Sequence, residues 1–327
     1  MRRYGTGLEA LHPLGTWPPG VRPSFVLSIA LVALSFATNR SHAQTGGIEV
    51  FAGETLFRRG WRISETYLYR REGTLYRGSN SVSDPQDRLF QEHRVVTGVD
   101  YGLLADLTVS GLLPVVHQEL RIKNGSGRDY VDSFGLGDLA LLLKYRYYKI
   151  DWEHSTFATA VVTGLEFPTG RTDEKEDGVR LPPRLQPGFG AWNPFAALAT
   201  RLSLNRVRLD LNAFYKVNTE GSQNFEPGDF LSLSLNGKYR FWHTKYPGPT
   251  AGVLFGVQWR HQGRDKGDER SLSDSGSDLI LLSPGIGVHP IPNMDLSLSV
   301  DVPVYQNYNG EQLGWDVRTI LAVGFRF

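Results

Sequence analysis

The sequence predicts an all-β chain, a transmembrane antiparallel up-and-down β-barrel of about 12 strands with both termini on the periplasmic side. Three observations predict it. Apolar and polar residues alternate with a period of two in window after window. The connections between windows alternate between short and long. Aromatic residues collect on the apolar parity toward both ends of the windows.

The chain opens on a segment that is an address and not part of the barrel. Phe25 to Ala37 is an unbroken run of mainly apolar residues, with Arg22 before it and Ser41-His42-Ala43 after it. Such a run suits a secretory signal and is too short to span a bilayer as a helix. Small side chains at Ser41 and Ala43 place the cleavage before Gln44, so that 1–43 is removed. The long stretch before Arg22 also admits a start at Val21. Arg2, Arg3, Arg22 and Arg40 leave with Glu9, which takes the chain from a formal charge of +1 to −2.

Beyond Gln44 the period is two. In the last window, Trp315, Val317, Thr319, Leu321, Val323, Phe325 and Phe327 share one parity, while Asp316, Arg318, Gly324 and Arg326 fall on the other. That is a strand with one greasy face. Leu209, Leu211 and Ala213 alternate with Arg208, Asp210 and Asn212. Val253, Phe255 and Val257 alternate with Gly252, Gly256 and Gln258. The windows fall at 61–71, 90–101, 105–121, 135–149, 155–167, 191–204, 206–217, 229–242, 250–262, 276–288, 293–305 and 314–327. Short turns are expected near 102–104, 150–154, 205, 243–249 and 289–292. Longer polar loops are expected at 72–89, 122–134, 168–190, 218–228, 263–275 and 306–313. An even strand count with short turns on one side is the layout of an outer-membrane barrel.

On the apolar parity, Trp61, Tyr101, Tyr145, Tyr147, Tyr239, Phe241, Phe325 and Phe327 fall near the short-turn rim. Tyr69, Phe167, Trp192, Tyr215, Trp259 and Trp315 fall near the opposite rim. Two aromatic belts are expected of a membrane barrel and not of a secreted sandwich. Phe327, with Phe325 and Val323 behind it, also fits the terminal strand that the barrel assembly machinery reads. The expected surroundings are therefore outer-membrane lipid and lipopolysaccharide.

Several short motifs carry a family resemblance. They are Gly135-Leu136-Gly137-Asp138-Leu139 followed by Lys144-Tyr145-Arg146, and Gly164-Leu165-Glu166-Phe167-Pro168-Thr169-Gly170. Leu282-Ser283-Pro284-Gly285, Asp301-Val302-Pro303-Val304-Tyr305-Gln306 and Asn309-Gly310 complete the set. With these the chain resembles the meta-pathway phenol-degradation family of outer-membrane, transporter-like barrels. The resemblance implies a passive or facilitated pore, with aromatic or other hydrophobic compounds as one class of solute. It carries over no functional residues.

Composition removes whole classes of function. With no Cys, disulfides, Cys-ligated metal and a thiol nucleophile are excluded, and 35 basic against 34 acidic residues give no surplus for nucleic acid. No cofactor is implied. On the parity expected to face the bore, bases outnumber acids, which favours anions or polarisable solutes if the charges act as a field. The alternative is that they pair across strands and brace the wall. Arg146, Arg240, Arg260, Asp301 and Arg318 are candidate lumen residues, and Glu166 with Arg201 is the expected constriction pair. Residues 44–60 before the first strand form either a periplasmic strap or a plug. The charged stretches 171–180 and 263–278 either hold divalent cations shared with lipopolysaccharide or are simply solvated.

Two other functions compete with a channel. Barrels of this size also host lipid-modifying enzymes of phospholipase or deacylase type, which need a Ser and a His within hydrogen-bond reach. His154 and Ser155 are adjacent and so face opposite ways. His243 and His289 fall in the short turns, and no Ser stands two residues from His93, His117 or His261. An adhesin would carry longer loops. A narrow channel for small solutes is the favoured expectation.

Overall fold

The computed structural model describes residues 50–124 and 127–327. The expected signal segment 1–43, the Val21 start, the cleavage before Gln44 and residues 44–49 lie outside the described residues. Strands in chain order are β1 Trp61–Gly78, β2 Leu89–Leu104, β3 Leu107–Asn124, and β4 in two segments, Gly127–Leu136 and Leu139–Trp152. They continue as β5 Ser155–Phe167, β6 Asn193–Leu204, β7 Val207–Lys216, β8 Phe230–His243, β9 Thr250–Gln262 and β10 Ser277–His289. The last element, Met294–Arg326, runs along two positions of the wall. Its part 296–308 pairs with β10, and its part 311–326 pairs with β1; these are β11 and β12.

Each strand is antiparallel to the next, and the β12–β1 pairing closes the ring. At the seam Trp61 and Phe327 exchange backbone hydrogen bonds of 2.7 and 3.0 Å. Closure matters because an open edge in hydrocarbon leaves backbone groups unpaired, at several kcal/mol each. Both ends of the wall therefore meet at the rim that carries the short turns.

The exposure pattern is that of a protein turned inside out. Leu211, Phe255 and Val304 are each more than half exposed, whereas Asn212, Ser232 and Arg201 are almost wholly buried. In water, a ring of exposed Leu, Val and Phe would be a large aggregation-prone patch. In lipid the same ring is the contact surface. The apolar parity read from the sequence is the outward one in β6 to β9 and in β11; in β10 both parities are apolar, and Leu279 and Leu281 face inward. Outward β1 to β4 is more polar: the Thr97 hydroxyl donates to Glu65 at 2.8 Å, and the Tyr67 hydroxyl meets His93 at 2.8 Å.

Three expected loops are in fact hairpin extensions. β1 continues to Gly78, β3 and β4 rise past 122–134, and 306–313 is extended apart from the bend at Asn309-Gly310. Polar residues occur on both of their faces, so the alternation that marks a membrane strand is lost there. Gly310 sits at φ +66°, a conformation that favours a residue without a Cβ. β4 is interrupted between Leu136 and Leu139, and loop 168–190 closes on the break. Asp138 there accepts from the backbone N–H groups of Gly170 at 2.9 Å and Phe189 at 2.8 Å.

Trp315 corrects the expected outer belt. It is buried and turned into the bore, because the β1–β12 register shifts between Arg71 and Glu72 and again before Thr74. A bulge inserts an unpaired residue and swaps the faces beyond it. Trp192 and Tyr215 do stand exposed at the outer rim, and Trp61, Tyr145, Tyr147, Tyr239 and Phe241 at the short-turn rim.

Candidate functional site

The site is the bore, and its lining is layered. Just below the outer rim, Lys216 on β7 reaches Glu166 on β5 at 3.2 Å, and Asn193 on β6 donates to the same carboxylate at 3.1 Å. Beneath them lie Phe195, Phe214 and Phe230, with ring centroids 5.6 and 5.9 Å apart in sequence along β6, β7 and β8. Leu142, Val162 and Ala197 complete this apolar layer. Small polar side chains such as Asn212 and Ser234 follow.

The layer nearest the short turns is ionic. Arg62 pairs with Asp100 at 3.1 Å, Arg326 with Asp295 at 3.2 Å, and Arg201 with Asp210 at 2.6 Å. These are neighbours across strands or one strand apart, so each of these acids is paired, while buried Lys144 and Lys238 and the nearby Arg208 leave the tier with more basic than acidic side chains. Buried charges persist only when paired in this way.

The stretch before β1 enters the ring. Phe51 packs within the apolar layer, its centroid 6.2 Å from that of Phe214. Glu54 accepts from Arg201 at 2.6 Å, and the Leu56 N–H donates to the Thr108 hydroxyl at 2.9 Å. Gly53 lies so close to the wall that a Cβ there would collide with the Ala158 carbonyl. An apolar anchor, an ion pair and a backbone contact therefore hold this segment.

Glu166 and Arg201, expected to pair, do not meet. The register places Glu166 opposite Asn193, and Arg201 lies eight residues further along β6, about 26 Å at ~3.3 Å per residue. Their partners are Lys216 for the first, and Asp210 and Glu54 for the second. Arg146 bonds Asp106 in the β2–β3 turn at 3.0 Å, and Arg240 reaches the Asn205 carbonyl at 3.5 Å; both sit at the short-turn mouth. Asp301 and Arg318 pair at 2.6 Å in the upper bore, where Gln258 also takes a bond from Arg318 at 3.2 Å. Arg260 lies over Phe230 and Trp315. Val323 and Phe325 stand on the outward face of β12 opposite Glu65 and Ile63, and Phe327 closes the seam.

Sequence reasoning missed two acids and one base of this network. Glu92 faces inward between Arg70, at 2.8 Å, and Arg94, at 3.0 Å. Its parity was readable, since Arg94 and Asp100 share it. Glu54 lies outside any strand and carried no signal. Arg184, in loop 168–190, ion-pairs with buried Asp265 of loop 263–276.

That pair ties together the outer loops above the bore. Asp265 also accepts from the Gly228 N–H at 3.0 Å, and its own N–H donates to Ser275 at 2.9 Å. Asp265→Ala is expected to free 217–229 and 263–276 together, read as faster hydrogen exchange and proteolysis confined to those loops. Farther round the rim, burial works against the Asp84 carboxylate, but Arg88 and the N–H groups of Arg88 and Gln86 outweigh it and hold it below the usual range. The stretch 171–180 is largely self-satisfied: Arg171 meets Glu174 at 2.7 Å, and Arg180 donates to the Thr172 carbonyl at 2.8 Å. Among the described residues no cluster of three or more His, Asp or Glu is placed to hold a metal ion. His261 bonds Asp278 at 2.9 Å, His117 lies 3.9 Å from Asp132, and His289 meets Lys238 at 2.9 Å.

Comparison with solved structures places the fold among outer-membrane barrels. The COG4313 outer membrane channel from Pseudomonas putida F1 superposes with a TM-score of 0.61 at 17% identity, over 87% of this chain and 100% of that one. The β-domain of the Bordetella autotransporter BrkA superposes with a TM-score of 0.44 at 12% identity, over 82% of this chain and 100% of that one. Curated sequences return no match. The protein resides in the outer membrane, as its closed barrel with an apolar outer face requires. The family model described as "Putative MetA-pathway of phenol degradation" matches residues 88–313, well over half of the sequence, and the chain belongs to that family.

Proposed function

We propose that the protein is an outer-membrane channel or facilitator for small solutes, either aromatic and hydrophobic compounds or small organic anions. They pass by diffusion through a narrow bore in which residues 50–60 act as a plug. The observation that carries this reading is the layering: an aromatic tier of Phe195, Phe214 and Phe230 stands above an ionic tier at Arg201 and Asp210. An apolar tier gives a flat or greasy molecule a place to leave water. The ionic tier then supplies the polar exit toward the periplasm. Phe51 fills the apolar tier, as a displaceable side chain would if it stood in for the solute.

Other facts support the same reading. The strand number lies between barrels filled by side chains and open general porins, so the bore is narrow. The superposed barrel from Pseudomonas putida F1 is itself described as an outer membrane channel. His93 meets Tyr67, His261 meets Asp278 and His289 meets Lys238; this reading assigns these histidines to the barrel wall and not to a hydrolase site.

Liposome swelling with phenols, organic acids and sugars tests it. Phenols and small organic acids are expected to enter and disaccharides to be excluded. Impermeability to every solute, together with lipase activity of the detergent-solubilised protein, would overturn the proposal in favour of a lipid-modifying enzyme.

A further inference from the structure

Small side chains face the bore along β8 to β11: Ser234 and Asn236 on β8, Gly256 on β9, Ser283 on β10, and Ser297 and Ser299 on β11. They surround a cavity of ≈ 60 Å³. At its upper end lies the Asp301–Arg318 pair, and at its lower end Lys238 beside the Arg208–Asp210 pair. The segment before β1 leans instead on β6 and β7, through Glu54 on Arg201 and Phe51 on Phe214, and adds only Val50 to the cavity wall. The cavity therefore exists with the plug in place.

The charge balance singles out Lys238. It is 9% exposed, and its ammonium donates to the His289 imidazole at 2.9 Å. Among the described residues no carboxylate forms an ion pair with it. Asp295, whose field reaches it, is already engaged by Arg326 at 3.2 Å and Arg62 at 3.6 Å. Arg201 and Arg208 are matched by Glu54 and Asp210. A buried ammonium without a counter-charge is strongly unfavourable, and a bound anion removes that cost. The ammonium has three N–H donors, so two remain beyond the one that His289 takes.

Size narrows the class of anion. One water needs roughly 10–15 Å³ of such space, and a cavity of about 150 Å³ encloses benzene. The cavity beside Lys238 takes about four water-sized groups, as many as acetate has non-hydrogen atoms. We infer that it is a binding subsite for acetate-sized carboxylates. The carboxylate accepts from the Lys238 ammonium, and the hydroxyl-rich wall solvates the rest of the molecule. This rests on reading the bore as a solute path, and of the two solute classes proposed there it selects the organic anions.

Calorimetry and thermal unfolding of the folded full chain in detergent test the inference, with sodium acetate set against acetamide and against sodium chloride of equal ionic strength. Acetate is expected to bind about ten-fold tighter than acetamide, the difference between a charge-assisted and a neutral hydrogen bond, and to raise the unfolding temperature beyond the effect of chloride. Lys238→Met, which keeps the stem and removes the charge, should abolish the response to acetate, and Lys238→Arg should retain part of it. An undiminished response in Lys238→Met would overturn the assignment. Acetate acting no better than acetamide or chloride would overturn the subsite from the wild-type protein alone, whatever the variants do, and normal liposome swelling would then leave the channel standing. Acetate binding with no swelling by any solute would uphold the subsite and sink the channel.

Discussion

Deletion of residues 46–58 is expected to raise single-channel conductance several-fold and to lengthen open times. Within this segment Phe51 and Glu54 stand inside the bore, one in the apolar tier and one in the ionic tier. Phe51 packs against Phe214 in the apolar tier, and Glu54 pairs with Arg201 in the ionic tier. Removing both leaves a continuous passage lined by the apolar and ionic tiers. Phe51 burial is worth roughly 1.5–3 kcal/mol, so the deleted protein should remain folded, its wall hydrogen bonds being independent of the segment. Glu54→Gln should have a weaker effect of the same sign, appearing as longer openings and not as a wider pore. Unchanged conductance in both would mean that the bore does not run past Phe51 and Glu54.

Arg201→Leu is expected to be the most destabilising single change in the bore. Its side chain is 1% exposed and neutralises Glu54 and Asp210, each at 2.6 Å. Taking away one partner of a buried ionic group leaves the others desolvated and unpaired, at about 3–5 kcal/mol. Arg208, 3.0 Å from Asp210, softens the loss on that side. The readout is the denaturant midpoint and the temperature at which the barrel loses its compact electrophoretic form. Adding Glu54→Gln should recover part of the loss, because it removes one stranded charge. A single variant as stable as the wild type would show that the pair stands in water and not in a closed tier.

The two predictions differ in how far the sequence foretold them. The wall was legible almost residue by residue, because a strand with one face in lipid and one in the bore must alternate, and β6 to β10 follow the expected windows within two residues. The same alternation fixed the outward parity of Leu209, Leu233 and Phe255. The partners of the inward charges were not legible, since pairing depends on register, and a sequence shows parity without stagger. Glu166 and Arg201 share a face and stand on neighbouring strands, yet Glu166 lies at the outer end of β5 and Arg201 near the short-turn end of β6, a separation that the antiparallel order of the two windows already implied. Trp315 was misplaced for a related reason: a bulge between β1 and β12 reverses parity, and its nearest cue was Gly314 alone. Glu54 belongs to a segment with no period at all.

In a membrane barrel the apolar face of each strand meets hydrocarbon and the opposite face meets the bore. The chain has no cysteine, so spin labels at single cysteines replacing Leu233, Ser234, Leu235 and Asn236 of β8 report each face in reconstituted bilayers. Collision with lipid-soluble oxygen should dominate at 233 and 235, and collision with a water-soluble nickel chelate at 234 and 236. Equal exposure to the chelate at all four positions, or the reverse alternation, would contradict the barrel as described.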